Sequence, residues 1–208
     1  MSDRTGGPRR AWIARIQDAA EMWIYALNER QHWIFRLYDG INEAWARLVF
    51  RGVRRRAASF ARELPTSETG THLRPLAPAD LDAFAALLAA FDFRYVPPHP
   101  LDRAAAARAL RRASYLPFGI FRGEALIGYV LLRLFFPRRA VSGYWLLPAY
   151  HDTGVGVAAA RATRELLRAE ALPDYVTIPL DNTRSLVAAR AAGWRILRSN
   201  RRFHVLRR

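Results

Sequence analysis

The stretch Gly143–Leu167, GYWLLPAYHDTGVGVAAARATRELL, decides how this chain is read. Its first residues are apolar and aromatic, as in a strand, and end at Pro148. Its last eleven mix apolar and charged residues at helical spacing. Between them stand Gly154 and Gly156. Glycines just ahead of a helix let the backbone turn tightly and approach another group closely. The first N–H groups of a helix lack intrahelical partners and carry the positive end of its dipole, so such a turn attracts phosphate. A phosphate-bearing ligand is one reading. A tight strand-to-helix turn that binds nothing is the other, because short glycine patterns recur by chance.

Working outward, the chain of 208 residues has room for one domain with an appendage or for two small domains. It has no cysteine, which excludes disulfides and thiolate metal sites, and no metal is expected. No secretory leader is visible at the N-terminus. The longest apolar run, EALIGYVLLRLFF (Glu124–Phe136), is short and carries Arg133, so it reads as strand and not as a membrane span. The expected location is the cytoplasm, with peripheral contact at a membrane surface as an option. The formal charge of +15 comes entirely from arginine and is spread along the chain. It favours acidic partners in general without dictating a fold.

Residues 1–65 read as a Trp- and Arg-rich helical region. Trp12, Ile16, Trp23, Leu27, Ile34 and Tyr38 recur at roughly helical spacing. Asp39-Gly40 reads as a turn and Asn42 as the cap of a second helix, which makes a hairpin or a bent arm. Trp12, Trp23, Trp33 and Trp45 with Arg54–Arg56 suit docking on protein or self-association, contact with an anionic membrane surface, or base stacking. No nucleic-acid motif supports the last. Arg62–His72 reads as a linker. From residue 66 onward the texture is mixed: a strand at THLRPL, two helices, three strands, the glycine turn and its helix, a strand at YVTIPL, a helix capped by Asn182, and one or two final strands.

This order, with three segments, resembles the GCN5-related N-acetyltransferase (GNAT) superfamily from about Thr71 to the end. The segments are GYWLLPAYHDTGVGVAAA, LDNTRSLVAARAAGW and the opening LRPLAPADLDAFAALL. The resemblance implies an α/β (α+β) fold with a mixed, mostly antiparallel sheet flanked by helices. It implies acetyl-CoA as cosubstrate and transfer of an acetyl group to a primary amine. By resemblance, backbone amides of Thr153, Gly154, Val155, Gly156 and Val157 hold the pyrophosphate. Leu146 and Leu147 end the strand whose backbone takes the pantetheine arm, and Asn182 matches an Asn that contacts the cofactor while also serving as a helix cap.

The departures from the family pattern are specific. His151 stands where the loop usually begins with Arg or Gln, and Asp152 follows it. Ala189 stands where many members carry a general-acid Tyr. Val141, Ser142 and Gly143 stand where many carry a Glu. The substitute candidates are Tyr144 and Tyr150 beside the cofactor strand and Ser142 as a proton relay, with Tyr95 and His99 in the expected substrate loop. Positioning and carbonyl polarisation supply much of the rate in such a transfer, so the missing groups do not exclude catalysis. Two further readings stand beside the enzyme: a degenerate GNAT-fold subunit docked by its N-terminal helices, and a basic nucleic-acid binder.

Overall fold

A computed structural model of the chain describes residues 32–91 and 102–208. The expected sites at Trp12, Trp23, Tyr95 and His99, and the side chain of Trp33, lie outside the described residues. Packing divides the chain into two units, Met1–Ile41 and Asn42–Arg208. In the first, the described stretch from His32 is helical.

Helix α1 (His32–Val49) runs unbroken through Asp39-Gly40, which corrects the turn expected there. A glycine inside a helix costs only about 1 kcal/mol, and the next turn is firmly anchored. Asn42 is not a cap. It is buried, donates from Nδ2 to the Leu134 carbonyl (2.9 Å) and accepts from the Phe136 N–H (3.0 Å). Glu43 accepts from the backbone N–H groups of Ala113 and Ser114. The break comes instead at Phe50, ahead of α2 (Arg51–Ala58). Ala46, Phe50, Val53 and Ala57 lie in the same core as the sheet, so residues 42–58 are part of the packed domain.

The expected linker is partly strand: β1 (Arg62–Glu63) pairs antiparallel with β2 (Thr71–Pro75). Then come α3 (Leu81–Ala90), α4 (Arg103–Arg111), β3 (Tyr115–Arg122), β4 (Ala125–Phe135) and β5 (Arg139–Leu146). Helix α5 (Val155–Ala169), β6 (Asp174–Pro179), α6 (Thr183–Ala191), β7 (Arg195–Ser199) and β8 (Phe203–Arg207) complete the chain. The apolar run 124–136 is indeed a strand, and no helix among the described residues is long and apolar enough to cross a membrane.

One sheet of eight strands has the order β1-β2-β3-β4-β5-β6-β8-β7, antiparallel except between β5 and β6. Because alternate strand residues point to opposite faces, the sheet carries two cores. On one face, Phe118, Ile120, Val130, Leu132 and Leu134 meet α1, α2 and α5, and Val176, Ile178 and Leu206 join Ala189 of α6 and Trp194. On the other, Tyr129 and Phe121 meet Phe84, Leu87 and Leu88 of α3 and Ala106 of α4, with Trp145 packed against them.

The feature that places the site is the β5–β6 junction. The two strands pair only at Ala140–Asp174 and Val141–Tyr175. Beyond that point β5 stays bonded to β4 as far as Leu146, and β6 stays bonded to β8 as far as Pro179. Each strand follows its outer partner, so the pair opens into a V.

Candidate active site

The V continues into a groove of about 730 Å³ bounded by β5, β6 and the N-termini of α5 and α6. Ligand sites commonly have this size and sit at such junctions in α/β folds. From β5 it is lined by Ser142, Tyr144 and Leu146, and from the following turn by Tyr150 and His151. Gly154, Gly156 and Val157 form its wall at α5, and Asn182, Arg184 and Ala189 form its wall at α6. Three expected residues do not line it. Leu147 donates its N–H to Ile127. The Thr153 hydroxyl donates to the Tyr150 carbonyl (2.8 Å). The Val155 side chain is wholly buried beneath the turn.

The glycine turn has the features an anion cradle needs. Gly154 caps α5 with φ of +81°, in the left-handed region that side-chain-bearing residues rarely adopt. No side chain caps this helix end, so its first N–H groups are not answered by one. A Cβ added at Gly154 or Gly156 would meet no atom within 4 Å, so both face open space. A pyrophosphate therefore fits here sterically and electrostatically. Asp152, a poor neighbour for phosphate, has a side chain 75% exposed that lies 3.7 Å from the Arg184 guanidinium.

Arg184, in the first turn of α6, was not singled out from the sequence, although it sits inside the NTRSL segment. It donates from Nη1 to Nδ1 of His151 (2.6 Å), and His151 Nε2 bonds the Leu146 carbonyl (2.9 Å). A guanidinium has no acceptor, so in this arrangement Nδ1 accepts and Nε2–H donates. Asn182 caps α6, accepting from the Ser185 N–H (3.2 Å).

At the closed end of the V lies a buried polar cluster. The Ser142 hydroxyl donates to Asp174 Oδ1 (2.5 Å). Arg208 pairs with Asp174 Oδ2 (3.1 Å), donates to the Ala160 carbonyl (2.9 Å), and lies over the Trp194 ring at 3.6 Å. Tyr144 is bonded to Thr163 Oγ1 (2.9 Å) and meets Trp194 edge-on at 5.7 Å. Burial pushes the Asp174 carboxyl up to about 6, against the opposing pull of Ser142 and Arg208. Burial and the Asp174 charge push the Tyr144 phenol above its ordinary range, so it stays protonated. Asp174 was missed in the sequence because it sits one residue ahead of the apolar strand pattern and looks like a turn residue. Tyr150 packs at the groove with Arg122 5.9 Å from its ring centre.

The profile of the family described as Acetyltransferase (GNAT) domain matches residues 71–195. The chain belongs to the GNAT acetyltransferase family. Its GNAT domain is similar to solved structures at identities that speak to fold alone. The GNAT domain of S. lividans PAT shares 15% identity and a TM-score of 0.64, covering 73% of this chain and 97% of that one. Mycobacterium smegmatis RimJ in complex with CoA-disulfide shares 18% and 0.60, over 71% and 86% of the two chains. Ribosomal-protein-S5-alanine acetyltransferase from Vibrio fischeri shares 14% and 0.59, over 71% and 95%. No protein of curated function matches the chain by sequence. The GNAT fold agrees with the α/β class and the mostly antiparallel sheet expected from the sequence.

Proposed function

We propose that this GNAT acetyltransferase moves the acetyl group of acetyl-CoA to a primary amine by direct attack in a ternary complex. One observation carries the reading: an uncapped, glycine-lined helix end and a strand splay share a single groove. The α5 N–H groups around Gly154 and Gly156 would hold the pyrophosphate, with Asn182 and Arg184 beside them. Arg184 brings to the loop start, from α6, the cation that the family pattern places at position 151. When bound, acetyl-CoA supplies an activated thioester. The open backbone of β5 beside the V, at Gly143–Leu146, would align the acyl end. The RimJ relative in complex with CoA-disulfide supports a CoA ligand for this fold.

The amine must lose a proton to attack. Ser142 lines the groove and bonds to Asp174, so the Ser142–Asp174 pair is our candidate for taking that proton through water. Tyr150 is the candidate donor to the leaving thiolate. Tyr144, held by Thr163 and kept protonated, is assigned to shaping the groove floor and holding Trp194. Direct attack is favoured over a covalent acyl-enzyme because the chain has no cysteine to carry the group.

The test is calorimetric titration of the full chain with acetyl-CoA and CoA, followed by an amine screen read by free-thiol release. Micromolar binding that Gly156→Glu abolishes without unfolding supports the reading. Well-folded protein that binds neither ligand refutes it. The Met1–Ile41 unit is proposed as a protein-docking or self-association element, tested by sedimentation of the full chain against a variant lacking residues 1–31.

A further inference from the structure

The sheet face opposite α5 is charge-unbalanced in a way that points to the acceptor. Strands β4 to β8 carry five arginines and one acid. The acid, Asp174, points to the α5 side, where it meets Ser142 and Arg208. The strand register puts all five arginines on the other face. Val141 pairs with Arg133 and Tyr175, Tyr175 with Arg207, and Arg207 with Arg195. Arg139 lies two residues from Val141 on β5, and Arg198 pairs with Val205, which pairs with Thr177.

Some surface arginines elsewhere are matched: Arg56 pairs with Glu170, Arg74 with Asp80, Arg103 with Asp82, and Arg122 with Glu68. Arg133, Arg139, Arg195 and Arg207 form no ion pair among the described residues. Three of them stack near rings instead: Arg133 is 5.0 Å from the Phe135 centroid, Arg139 5.9 Å from the same ring, and Arg207 5.8 Å from Tyr175. A guanidinium beside a ring keeps N–H groups that can take a carboxylate. The Nε of Arg133 is buried and has no partner. Arg139, Arg195 and Arg207 are exposed.

This face borders the V at its closed end, two residues from Gly143. If the cofactor phosphates lie on the α5 side, an amine reaches the thioester from this side. We infer that the acceptor is a polypeptide whose free amine is followed by acidic residues, and that these residues lie across the arginine face. The inference rests on the acetyltransferase reading. Chemistry favours the polypeptide: an aliphatic amine and several negative charges then belong to one molecule, whereas nucleic-acid bases offer only poorly nucleophilic aromatic amines. Size agrees. Four strand spacings from β4 to β7 span roughly 19 Å, the reach of about six extended residues and more than a small metabolite covers.

The test uses the full chain saturated with CoA and C-terminally labelled hexapeptides with free N-termini, carrying Glu or Gln at the five following positions, read by fluorescence anisotropy. The Glu peptide is expected to bind at least tenfold tighter at 50 mM salt. An Arg195→Gln/Arg207→Gln double variant should lose at least fivefold of that affinity with CoA affinity unchanged. With acetyl-CoA the same preference should appear in KM more than in kcat. Equal binding of the two peptides, or a double variant that binds the Glu peptide as the parent does, overturns the inference. So does a single-stranded RNA oligonucleotide that binds tighter than the Glu peptide and loses its affinity in the double variant. Peptide binding is repeated without CoA, so a missing cofactor site and a missing acidic preference are separate readings.

Discussion

Gly154 and Gly156 stand two residues apart and are held by different requirements. Gly154 is fixed by backbone: at φ of +81° a side chain costs about 1–2 kcal/mol, although the space is open. Gly156 has no such constraint and sits inside α5, where alanine is the better helix former by about 1 kcal/mol. Gly156→Ala should therefore raise the unfolding midpoint while weakening CoA binding, measured by calorimetry. Gly154→Ala should lower both. A Gly156→Ala variant that binds CoA as the parent does would move the phosphates elsewhere. Asp174 gives a prediction in pH. Its folded value near 6 exceeds that of the unfolded carboxyl, so the folded state holds the proton longer. The stability this confers is present in acid and is lost as pH rises from about 4 to about 6, some 3 kcal/mol for a shift of about two units. Urea unfolding across that window should show the decline in the parent and not in Asp174→Asn. Asp80, held down by its bond to Arg74, works in the opposite sense and loses its contribution below pH 4.

Among the elements, α1 behaves least as its sequence suggests. Its Asp39-Gly40 pair says turn, and the helix passes through. The reason is the next residue pair: Asn42 bonds both sides of the β4 end and Glu43 bonds the backbone ahead of β3. Asn42→Ala would leave a buried carbonyl and a partly buried N–H without partners, and should cost about 2–4 kcal/mol, read in urea. By contrast Asp102 and Asn182 cap α4 and α6 as local rules require, accepting from the N–H three residues on. Substituting Ser142 by Ala belongs to this scale too, since it cuts the link between the groove and Asp174. It should lower kcat about 10²-fold with CoA affinity unchanged if the pair relays the proton. An unchanged kcat would remove it from the chemistry.

For the whole molecule, the packed unit begins at Asn42, because Ala46, Phe50, Val53 and Ala57 complete the core under the sheet. A fragment starting at residue 66 would expose that core face and should lack a cooperative thermal transition. A fragment of residues 42–208 should keep one. Differential scanning calorimetry of the two separates a domain that starts at the family match from one that needs the preceding helices. Charge acts on the same scale. The arginines in excess of acids are spread over the surface, some of them paired, as Arg56 and Arg103 are, and five share the β4–β8 face, so a net charge alone does not say where a partner sits.

The sequence by itself determined the order of elements from Thr71, the glycine turn before α5, the cap at Asn182 and the family. Each of these is a local matter of periodicity, backbone freedom or capping within a few residues. Tertiary structure decided the rest. Nothing local makes β5 and β6 part after two paired residues; that follows from what each strand bonds on its far side. Nothing local brings Asp174, Ser142 and Arg208 together, or Arg184 to His151, since those contacts join elements far apart in the chain. The five strand arginines look scattered in the sequence and share one face only because register is a property of neighbouring strands. Short-range preferences are written in neighbouring residues, whereas strand register and buried polar pairing depend on contacts across the chain and become visible only once it is folded.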